Sequence, residues 1–322
     1  MSTVSKITEP SMVGESIPEN QQTTLSAPPV TFRDYLRMLT VLFKMRIVML
    51  LLMAATGGAF MAAEGWPGLS TLALVWIAGG MAAAGSSSFN QYLERNKDDK
   101  MGRTMKKRPL VNGEIPNPTW VPWVSALLIL IPVAFTFTFN KPLSFFLALG
   151  AFIYVVIYTL WLKPRTLLNI VIGGAAGSAA VLSGSAATGY WNSPGALILA
   201  LILFLWTPFH FWSLAIMYRD DYAKADVPML PVHTTPKQAA WWTMSHTAPT
   251  CFFSLLLALF PYLGLVYFIP MLFISADLFW KNVKLIRDPS TENARGLFMS
   301  SNYYLTALML SIYFSSVLPS PF

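Results

Sequence analysis

The sequence predicts an all-α polytopic membrane protein, on the evidence of its composition and of the lengths of its apolar runs. Of the 322 residues, 55% are hydrophobic and 11% are charged, and the mean hydropathy is +0.52. Soluble domains carry roughly 25% charged residues, so a soluble fold is excluded. Nine runs are long and apolar enough for a bilayer-spanning helix, which takes about 20 residues. They lie at about 46–63, 69–89, 118–138, 143–162, 167–189, 195–217, 241–260, 262–280 and 297–318.

The N-terminal segment differs from the rest of the chain. Residues 1–36 are polar, rich in Ser, Thr and Pro, and lack the basic start, apolar centre and cleavage site of a signal peptide. We expect residues 1–36 to be a disordered cytoplasmic tail and 37–322 to form the membrane domain. The single cysteine, Cys251, lies in an apolar run, so an internal disulfide is impossible and a buried side chain is expected.

Basic residues are distributed unequally between the two sides of the predicted spans. With the N-terminus inside, only Lys141 falls on the outer side. The positive-inside rule then predicts an inner N-terminus and an outer C-terminus. The net charge of +7 is accordingly a signal of topology, and it gives no reason to expect a nucleic-acid partner. The inner residues are Lys6, Arg33, Arg37, Lys44, Arg46, the cluster from Arg95 to Arg108, Lys163, Arg165, Arg219, Lys224, Lys237, Lys281, Lys284, Arg287 and Arg295.

The inner loops contain a possible repeat. Basic residues precede span 1 (Lys44, Arg46) and span 5 (Lys163, Arg165), and acidic clusters follow span 2 and span 6. An offset of four spans gives halves of the same direction, with a ninth helix appended and both acidic clusters at one cytoplasmic opening. The alternative, equally weighted, is that charges simply accumulate in inner loops.

The acidic residues after span 2 fall on one helical face. If that span continues as a helix, Asn90, Glu94 and Asp98 form a narrow stripe, since each four-residue step drifts by only about 40°. Mg²⁺ prefers such oxygen ligands and is usually held by one or two carboxylates plus substrate phosphates. Arg103, Lys107 and Arg108 supply positive charge for a phosphate. The pattern indicates a metal-bound diphosphate, and the alternative is a solvated inner loop.

A second acidic pair, Asp220 and Asp221, directly follows span 6. A second Mg²⁺ held there could bridge the same diphosphate from the other side. The rest of such a ligand would lie among the helices, although their Phe, Trp and Met residues are more often packing or lipid contacts. The Gly, Ala and Ser residues of span 5 favour close helix packing.

Five segments resemble the UbiA-type intramembrane prenyltransferases, and within them the branch that farnesylates heme. The superfamily's first acidic motif, Asn-x-x-x-Asp-x-x-x-Asp, falls on Asn90, Glu94 and Asp98. The resemblance extends from about Lys44 to the last span. The branch signatures are "MGRTMKKRPL" (101–110), "NIVIGGAAG" (169–177), "TPFHFW" (207–212), "DDYAKADVPMLPV" (220–232) and "FMSSNYYL" (298–305).

The resemblance implies a fold, a reaction and its participants. The fold would be nine helices around a central cavity in the cell (inner) membrane, forming one intramembrane prenyltransferase domain. Farnesyl diphosphate would donate its farnesyl group to the vinyl group of heme B, giving heme O, with Mg²⁺ as cofactor. A downstream heme A synthase or terminal oxidase would be the partner that receives the product. The catalytic and metal-binding residues would be Asn90, Glu94, Asp98, Asp220 and Asp221, and the diphosphate-binding residues Lys44, Arg46, Arg103, Arg108, Lys163 and Arg165.

The chain departs from the family pattern at three positions. Glu94 stands where aspartate is usual, which extends the carboxylate by one methylene. Met45 replaces a proline between Lys44 and Arg46, which loosens the start of span 1. Asp226 lies five residues beyond Asp221 instead of four, so the two cannot share a helical face and a metal role for Asp226 is in doubt.

Two further ionisable residues lie within predicted spans. His210, in "TPFHFW", is a candidate heme-binding residue, with a hydrogen bond to a neighbouring helix as the alternative. Asp277 is expected to pair with Lys281 one turn on, and approach to the site is its alternative.

Three other functions compete with heme farnesylation. A prenyltransferase of the same architecture could use a phenol, a quinone precursor or chlorophyllide as the acceptor, and the spacing of the residues does not name the acceptor. A transporter would favour ionisable groups at mid-membrane, whereas here almost all charges lie at the cytoplasmic ends. An assembly factor without chemistry would not explain two facing acidic clusters.

Overall fold

The computed structural model describes residues 31–100 and 102–318, with the side chain of Arg103 left outside the description. Within that part of the chain every regular element is a helix, and there is no strand. The prediction of an all-α fold is therefore confirmed for the described residues.

The first helix precedes the membrane spans. Helix α1, Phe32–Leu42, begins inside the segment that we expected to be a tail, because Thr31 and Asp34 form a reciprocal capping box at its start. Arg37 on α1 pairs with Glu114 of a later loop at 2.9 Å. The boundary of the predicted tail moves accordingly, and residues 1–30 lie outside the described part.

Nine long helical segments follow in the described residues. Seven of them are long and apolar enough to cross a membrane. These seven are α2, Met45–Ala63; α3, Leu69–Asp98; α4, Pro118–Phe137; α5, Lys141–Leu162; α6, Asn169–Ala187; α7, Pro194–Met217; and α10, Gly264–Arg287. The remaining two long segments are α9, Pro236–Leu256, and α11, Thr291–Val317. A short helix, α8, Arg219–Lys224, lies between α7 and α9.

Helices α9 and α11 meet the length requirement but are more polar than the other seven. They contain 21 and 27 residues, and at about 1.5 Å per residue each exceeds the roughly 30 Å of a bilayer core. Gln238 and His246 in α9, and Glu292 and Arg295 in α11, lower their apolar character. By length and composition together, seven of the nine predicted spans are confirmed.

The largest buried cluster is shared by α2, α6, α7, α9, α10 and α11. Its largest fully buried side chains are Phe209, Tyr267 and Tyr304, and the buried Trp212 lies beside it. Buried hydroxyls pair within this region: the Tyr267 hydroxyl donates to the Ser254 carbonyl at 2.7 Å, and Ser254 and Tyr304 share a hydrogen bond. Such bonds hold helices together where lipid offers no polar partner.

Helices α2 and α6 approach closely through glycines. A Cβ atom at Gly58 of α2 would collide with the backbone carbonyl of Val181, and one at Gly184 of α6 would collide with the carbonyl of Ala55. The "NIVIGGAAG…SG" composition of span 5 therefore has the packing role that the sequence predicts.

Two features of α3 and α5 create the functional region. Helix α3 continues nine residues beyond the predicted end of span 2, so Asn90, Glu94 and Asp98 lie in its last three turns. Helix α5 ends in a π-helical stretch, Ile153–Leu162, directly before Lys163. Wider helical turns of this kind re-aim side chains and are frequent at functional sites.

We expect Gly184→Ala to destabilise the protein by about 1–3 kcal/mol, the usual cost of overpacking, because the added methyl group meets backbone that cannot move aside. Gly177→Ala, on the same helix, is the matched control, since its Cβ would lie 4.0 Å from the nearest neighbour, Leu203 Cβ. The free energy of unfolding of both variants in detergent micelles tests the contact. Equal stability of the two would contradict it.

Candidate active site at the C-terminal end of helix α3

Three polar side chains are buried along one face of α3. Asn90, Glu94 and Asp98 are 1%, 5% and 3% exposed, which confirms the predicted stripe as a helical face that is turned inward. Buried carboxylates are costly unless they are paired and hydrogen-bonded. Their partners therefore define the site.

Each member of the stripe has a basic partner from another part of the chain. Lys44 Nζ donates to Asn90 Oδ1 at 2.5 Å, and Lys163 Nζ donates to Glu94 Oε1 at 2.5 Å. Arg108 donates to the Asp98 carboxylate and lies 3.8 Å from Glu94 Oε2. We call these six residues the charged cluster. It unites residues that are up to 119 positions apart in sequence, from Lys44 to Lys163.

Local backbone structure aims the three bases at the stripe. Lys44, between α1 and α2, has φ of 50°, a left-handed conformation that non-glycine residues rarely adopt. Lys163 ends the π-helical stretch, and its N–H donates to the Tyr158 carbonyl at 2.8 Å. Arg108 follows a turn in which the Thr104 hydroxyl donates to the Asp98 carbonyl at 2.8 Å. Strained backbone retained at such a position is typical of a functional site.

The two lysines at the helix ends differ in charge behaviour. Burial lowers the pKa of Lys44 to about 7, and the neighbouring Arg108 adds to that effect. Burial also opposes the charge of Lys163, but the Glu94 carboxylate, by attraction and hydrogen bonding, raises its pKa above the ordinary range. Lys163 therefore stays charged at neutral pH, whereas burial disfavours the charged form of Lys44.

Sequence reasoning missed three residues of α5 that lie beside the charged cluster. Asn90 Nδ2 donates to Thr159 Oγ1 at 2.9 Å, and Lys44 Nζ lies 3.3 Å from the Tyr154 hydroxyl. Tyr154 and Tyr158 stack with ring centroids 5.8 Å apart. Lys163 Nζ lies 5.6 Å from the centroid of the Tyr158 ring. The available signal was a pair of tyrosines four residues apart near the C-terminal end of an otherwise apolar span.

The second acidic pair lies near the cluster but does not join it. Asp220 is exposed and Asp221 is partly exposed on α8. Tyr222, next to them, is buried in an apolar group against which Tyr158 packs, and this contact places α8 beside the C-terminal end of α5. Among residues 31–100 and 102–318, no three His, Cys, Asp or Glu side chains are grouped as a metal site. The five predicted metal ligands are therefore not assembled in this conformation, and joint metal binding stays a prediction.

The other predicted diphosphate residues lie outside the charged cluster. Arg46 is exposed on the first turn of α2. Arg165 is also exposed and donates to the carbonyls of Leu160 and Trp161 at 3.0 and 2.9 Å, so it caps the end of α5. The Arg103 side chain is not described. Of the six candidates, Lys44, Arg108 and Lys163 are the ones that the structure brings together.

Asp226 and Asp277 do not belong to the charged cluster. Asp226 is exposed, with φ of 51°, just after α8. Asp277 accepts a hydrogen bond from Ser300 Oγ of α11 at 2.8 Å, and the described ion pairs do not include Asp277 with Lys281. The predicted pairing within α10 is wrong, because a neighbouring helix offers a buried donor.

His210 is buried within α7, 8% exposed, and packs among aromatic rings. Its ring stacks on Trp206 at 4.2 Å and on Phe298 at 4.7 Å, and its Nδ1 lies 2.7 Å from Ser301 Oγ. The alternative predicted from sequence, a hydrogen bond to a neighbouring helix, is thus present. A heme-binding role stays a prediction.

The donor chemistry of the stripe suits a hard divalent cation. Two carboxylates and one amide oxygen lie on one face, and the basic side chains against them are the kind that bind phosphate. Glu94 and Asp98 supply the one or two carboxylates that Mg²⁺ usually takes from a protein, with substrate phosphates completing its shell. The residues present therefore fit Mg²⁺.

Comparison with known proteins identifies the family. A profile of the UbiA prenyltransferase family matches residues 50–306, which include the whole stripe, Arg108, Lys163 and His210. The chain belongs to the UbiA prenyltransferase family. The match extends from within α2 to within α11, so the family assignment covers both acidic segments and the π-helical end of α5.

A sequence relative agrees with this assignment, and two solved structures share the fold. The protoheme IX farnesyltransferase of Sulfurisphaera tokodaii is 38% identical over 283 residues, covering 87% of this chain and 91% of the relative. A structure of digeranylgeranylglyceryl phosphate synthase superposes with a TM-score of 0.72 at 15% identity, over 88% of this chain and 98% of that one. A UbiA homologue from Archaeoglobus fulgidus bound to GPP and Mg²⁺ gives a TM-score of 0.56 at 16% identity, over 86% and 98%.

Loss of one partner of the buried pair is expected to unfold the site. Glu94→Gln leaves the Lys163 ammonium buried without a counter-charge, which typically costs about 3–5 kcal/mol of stability. Arg37→Gln, which breaks the exposed pair with Glu114, should cost no more than about 1 kcal/mol.

The double variant Glu94→Gln, Lys163→Met separates pairing from packing. It should recover much of the stability lost in Glu94→Gln, because no lone buried charge remains. Denaturant titration in detergent micelles measures all three variants. A double variant that is no more stable than Glu94→Gln would show that the loss does not come from a lone buried charge on Lys163.

Proposed function

We propose that this UbiA protein transfers the farnesyl group of farnesyl diphosphate to the vinyl group of heme B, forming heme O and releasing diphosphate. The observation that carries the proposal is the 38% identity to a protoheme IX farnesyltransferase across 91% of that protein's length. Other matched relatives, 40% and 38% identical, have the same name. The charged cluster supplies residue types that this reaction needs.

In this proposal the basic residues of the cluster hold the diphosphate. Lys163 and Arg108 contact carboxylates in the free protein, and they would bind phosphate oxygens in the complex. Lys44, at the start of α2, is the third base within reach of the stripe. Arg46, Arg103 and Arg165 remain predicted contributors, and the side chains of Arg46 and Arg165 are exposed.

Asn90, Glu94 and Asp98 would hold Mg²⁺, joined by Asp220 and Asp221 once substrate draws α8 toward the stripe. When bound, Mg²⁺ would neutralise charge that develops on the departing diphosphate. Lys163 does the same from the protein side, because its ammonium stays charged at neutral pH. The carboxylates orient both kinds of positive charge around the leaving group.

The chemistry at the other end of the substrate is electrophilic addition. The allylic carbon–oxygen bond breaks with its electron pair on the diphosphate, and the vinyl carbon of heme B supplies the electrons of the new carbon–carbon bond. Water then adds to the resulting cation and loses a proton, leaving the hydroxyl group. A site largely closed to solvent protects the allylic cation from premature capture by water.

The position of His210 suits an acceptor rather than the diphosphate. It lies seven residues before Met217, where α7 ends, so a helix rise of about 1.5 Å per residue puts it roughly 10 Å from that end of the helix. A porphyrin at that depth would have its iron near His210 and a vinyl edge toward the charged cluster. Heme binding by His210 is part of the proposal.

The proposal includes nine spans around a central cavity in the cell (inner) membrane, with the N-terminus inside and the C-terminus outside. Helices α9 and α11 are long enough to be the two spans that composition alone leaves out. A heme A synthase or terminal oxidase would receive the product.

The products decide the acceptor. Purified protein incubated with heme B, farnesyl diphosphate and Mg²⁺ should yield heme O, detected by chromatography and mass spectrometry. Omission of heme B, and replacement by a phenolic quinone precursor or chlorophyllide, are the controls. Prenylation of an aromatic acceptor without conversion of heme B would replace the proposed function by that of another UbiA prenyltransferase.

Asp98→Ala is expected to remove nearly all turnover, because charge neutralisation by a metal contributes on the order of several kcal/mol to such a transition state. Glu94→Asp should be tolerated, as it retains the carboxylate facing Lys163. Initial rates at limiting Mg²⁺ compare both with the unchanged protein. Near-normal turnover by Asp98→Ala would exclude Asp98 as a metal ligand.

The topology can be tested with two exposed positions at opposite ends of the spans. In a background where buried Cys251 is replaced by Ser, Lys141→Cys should react with an impermeant thiol reagent added outside intact cells. Asp99→Cys should react only after the cells are opened. Labelling of Asp99→Cys in intact cells would reject the orientation.

A further inference from the structure

The ring of His210 has very little freedom in this structure. Trp206 covers one face at 4.2 Å with an interplanar angle of 18°, and Phe298 stacks at 4.7 Å with an angle of 28°. Phe211 packs edge-on at 5.2 Å. With aromatic rings stacked on its faces, the imidazole can offer a ligand only the lone pair that lies in its own plane.

The hydrogen bonds of Ser301 determine which ring nitrogen carries that lone pair. Ser301 Oγ lies 2.6 Å from the Phe298 carbonyl, which can only accept, and 2.7 Å from His210 Nδ1. A serine hydroxyl has one proton to donate. If that proton goes to the carbonyl, Ser301 Oγ accepts from His210 Nδ1–H. The lone pair is then on Nε2.

No described residue forms a hydrogen bond with His210 Nε2, and this atom is not among the fully buried polar atoms that lack a partner, so it faces accessible space at the edge of the ring. An accessible ring nitrogen with no partner in the protein is open to an external ligand. A neutral imidazole that donates from one nitrogen and presents the other is the usual form of a metal-ligating histidine. The polar partner on the donating nitrogen sets the tautomer and the ring orientation.

Ser301 also fixes the ring that covers His210. Its backbone carbonyl accepts a hydrogen bond from Trp206 Nε1 at 2.9 Å. One residue of α11 thereby holds both the tautomer of the histidine, through its hydroxyl, and the stacking partner, through its carbonyl. Because the second bond uses backbone, a side-chain substitution removes the first bond alone.

We propose that Ser301 is a positioning residue that holds His210 in the Nδ1-protonated tautomer, so that His210 Nε2 ligates the iron of the heme acceptor. The inference rests on the proposed function, since it takes heme B as the acceptor. Ligation would hold the porphyrin plane perpendicular to the Nε2 lone pair, at the level of His210 along α7. The vinyl group would then be presented in one constant position relative to the charged cluster.

The test uses heme B bound to the full-length protein in detergent. Ser301→Ala should weaken heme binding about tenfold, the scale typical for loss of a hydrogen bond to a metal-ligating histidine. It should also lower the frequency of the iron–histidine stretching band of the ferrous complex, because the imidazole loses electron density when Nδ1–H has no acceptor. Ser300→Ala removes the neighbouring hydroxyl, which contacts Asp277, and should leave both measurements unchanged.

His210→Asn separates ligation from packing. Asparagine keeps an amide donor near the position of Nδ1 that can reach Ser301, but it has no counterpart of Nε2. The iron–histidine band should disappear in this variant, and added imidazole should restore it in part. A band and a heme affinity that are unchanged in both Ser301→Ala and His210→Asn would overturn the inference.

The product assay on the unchanged protein distinguishes the two levels of the proposal. Heme O formed by the unchanged protein, together with unchanged spectra in both variants, overturns the role of Ser301 and His210 and leaves the function standing. Absence of heme O, together with the expected loss of ligation in the variants, overturns the function instead.

Discussion

The neutralisation of two buried carboxylates is the interaction on which the candidate active site of this protein depends. Glu94 and Asp98 are turned inward on α3, where a charge without a partner would cost several kcal/mol. Their partners, Lys163 and Arg108, come from the end of α5 and from the loop after α3. The chain therefore has to bring three segments together at one level, and the continuation of α3, the π-helical end of α5 and the capped turn after Asp98 all serve that geometry.

The same interaction explains why the site suits a diphosphate. The cluster has almost balanced charge in the free protein, so it can be buried without substrate. A magnesium diphosphate carries both positive and negative charge. The carboxylates of the protein can exchange a basic side chain for Mg²⁺, and the basic side chains can exchange a carboxylate for a phosphate group. Little net charge has to be transferred into the low-dielectric interior in such an exchange. The tyrosine pair Tyr154 and Tyr158 lies beside the lysines and limits the water around them.

Periodicity predicted what is local, and the structure was needed for what is distant. The stripe at Asn90, Glu94 and Asp98 follows from the helical repeat alone, and seven spans follow from length and hydropathy. Nothing in the sequence distinguishes Lys163, which faces Glu94, from Arg165, which caps α5, because the π-helical turns before them change which residue points inward. The position of α8, and with it of Asp220 and Asp221, depends on tertiary packing of Tyr222 that no local pattern encodes.

The charged cluster and the surroundings of His210 differ in chemistry, and this difference accounts for the division of the site. In the charged cluster, ions are matched by ions. Within α7, His210 is buried and is held by a serine and by stacked aromatic rings, which limit the water around it. A reaction that generates an allylic cation requires both environments: a charged region that accepts the leaving group and a dry region in which the cation meets only its acceptor. His210 lies within α7, and Asp220 and Asp221 follow that helix directly, so α7 connects the predicted heme site to the second acidic pair.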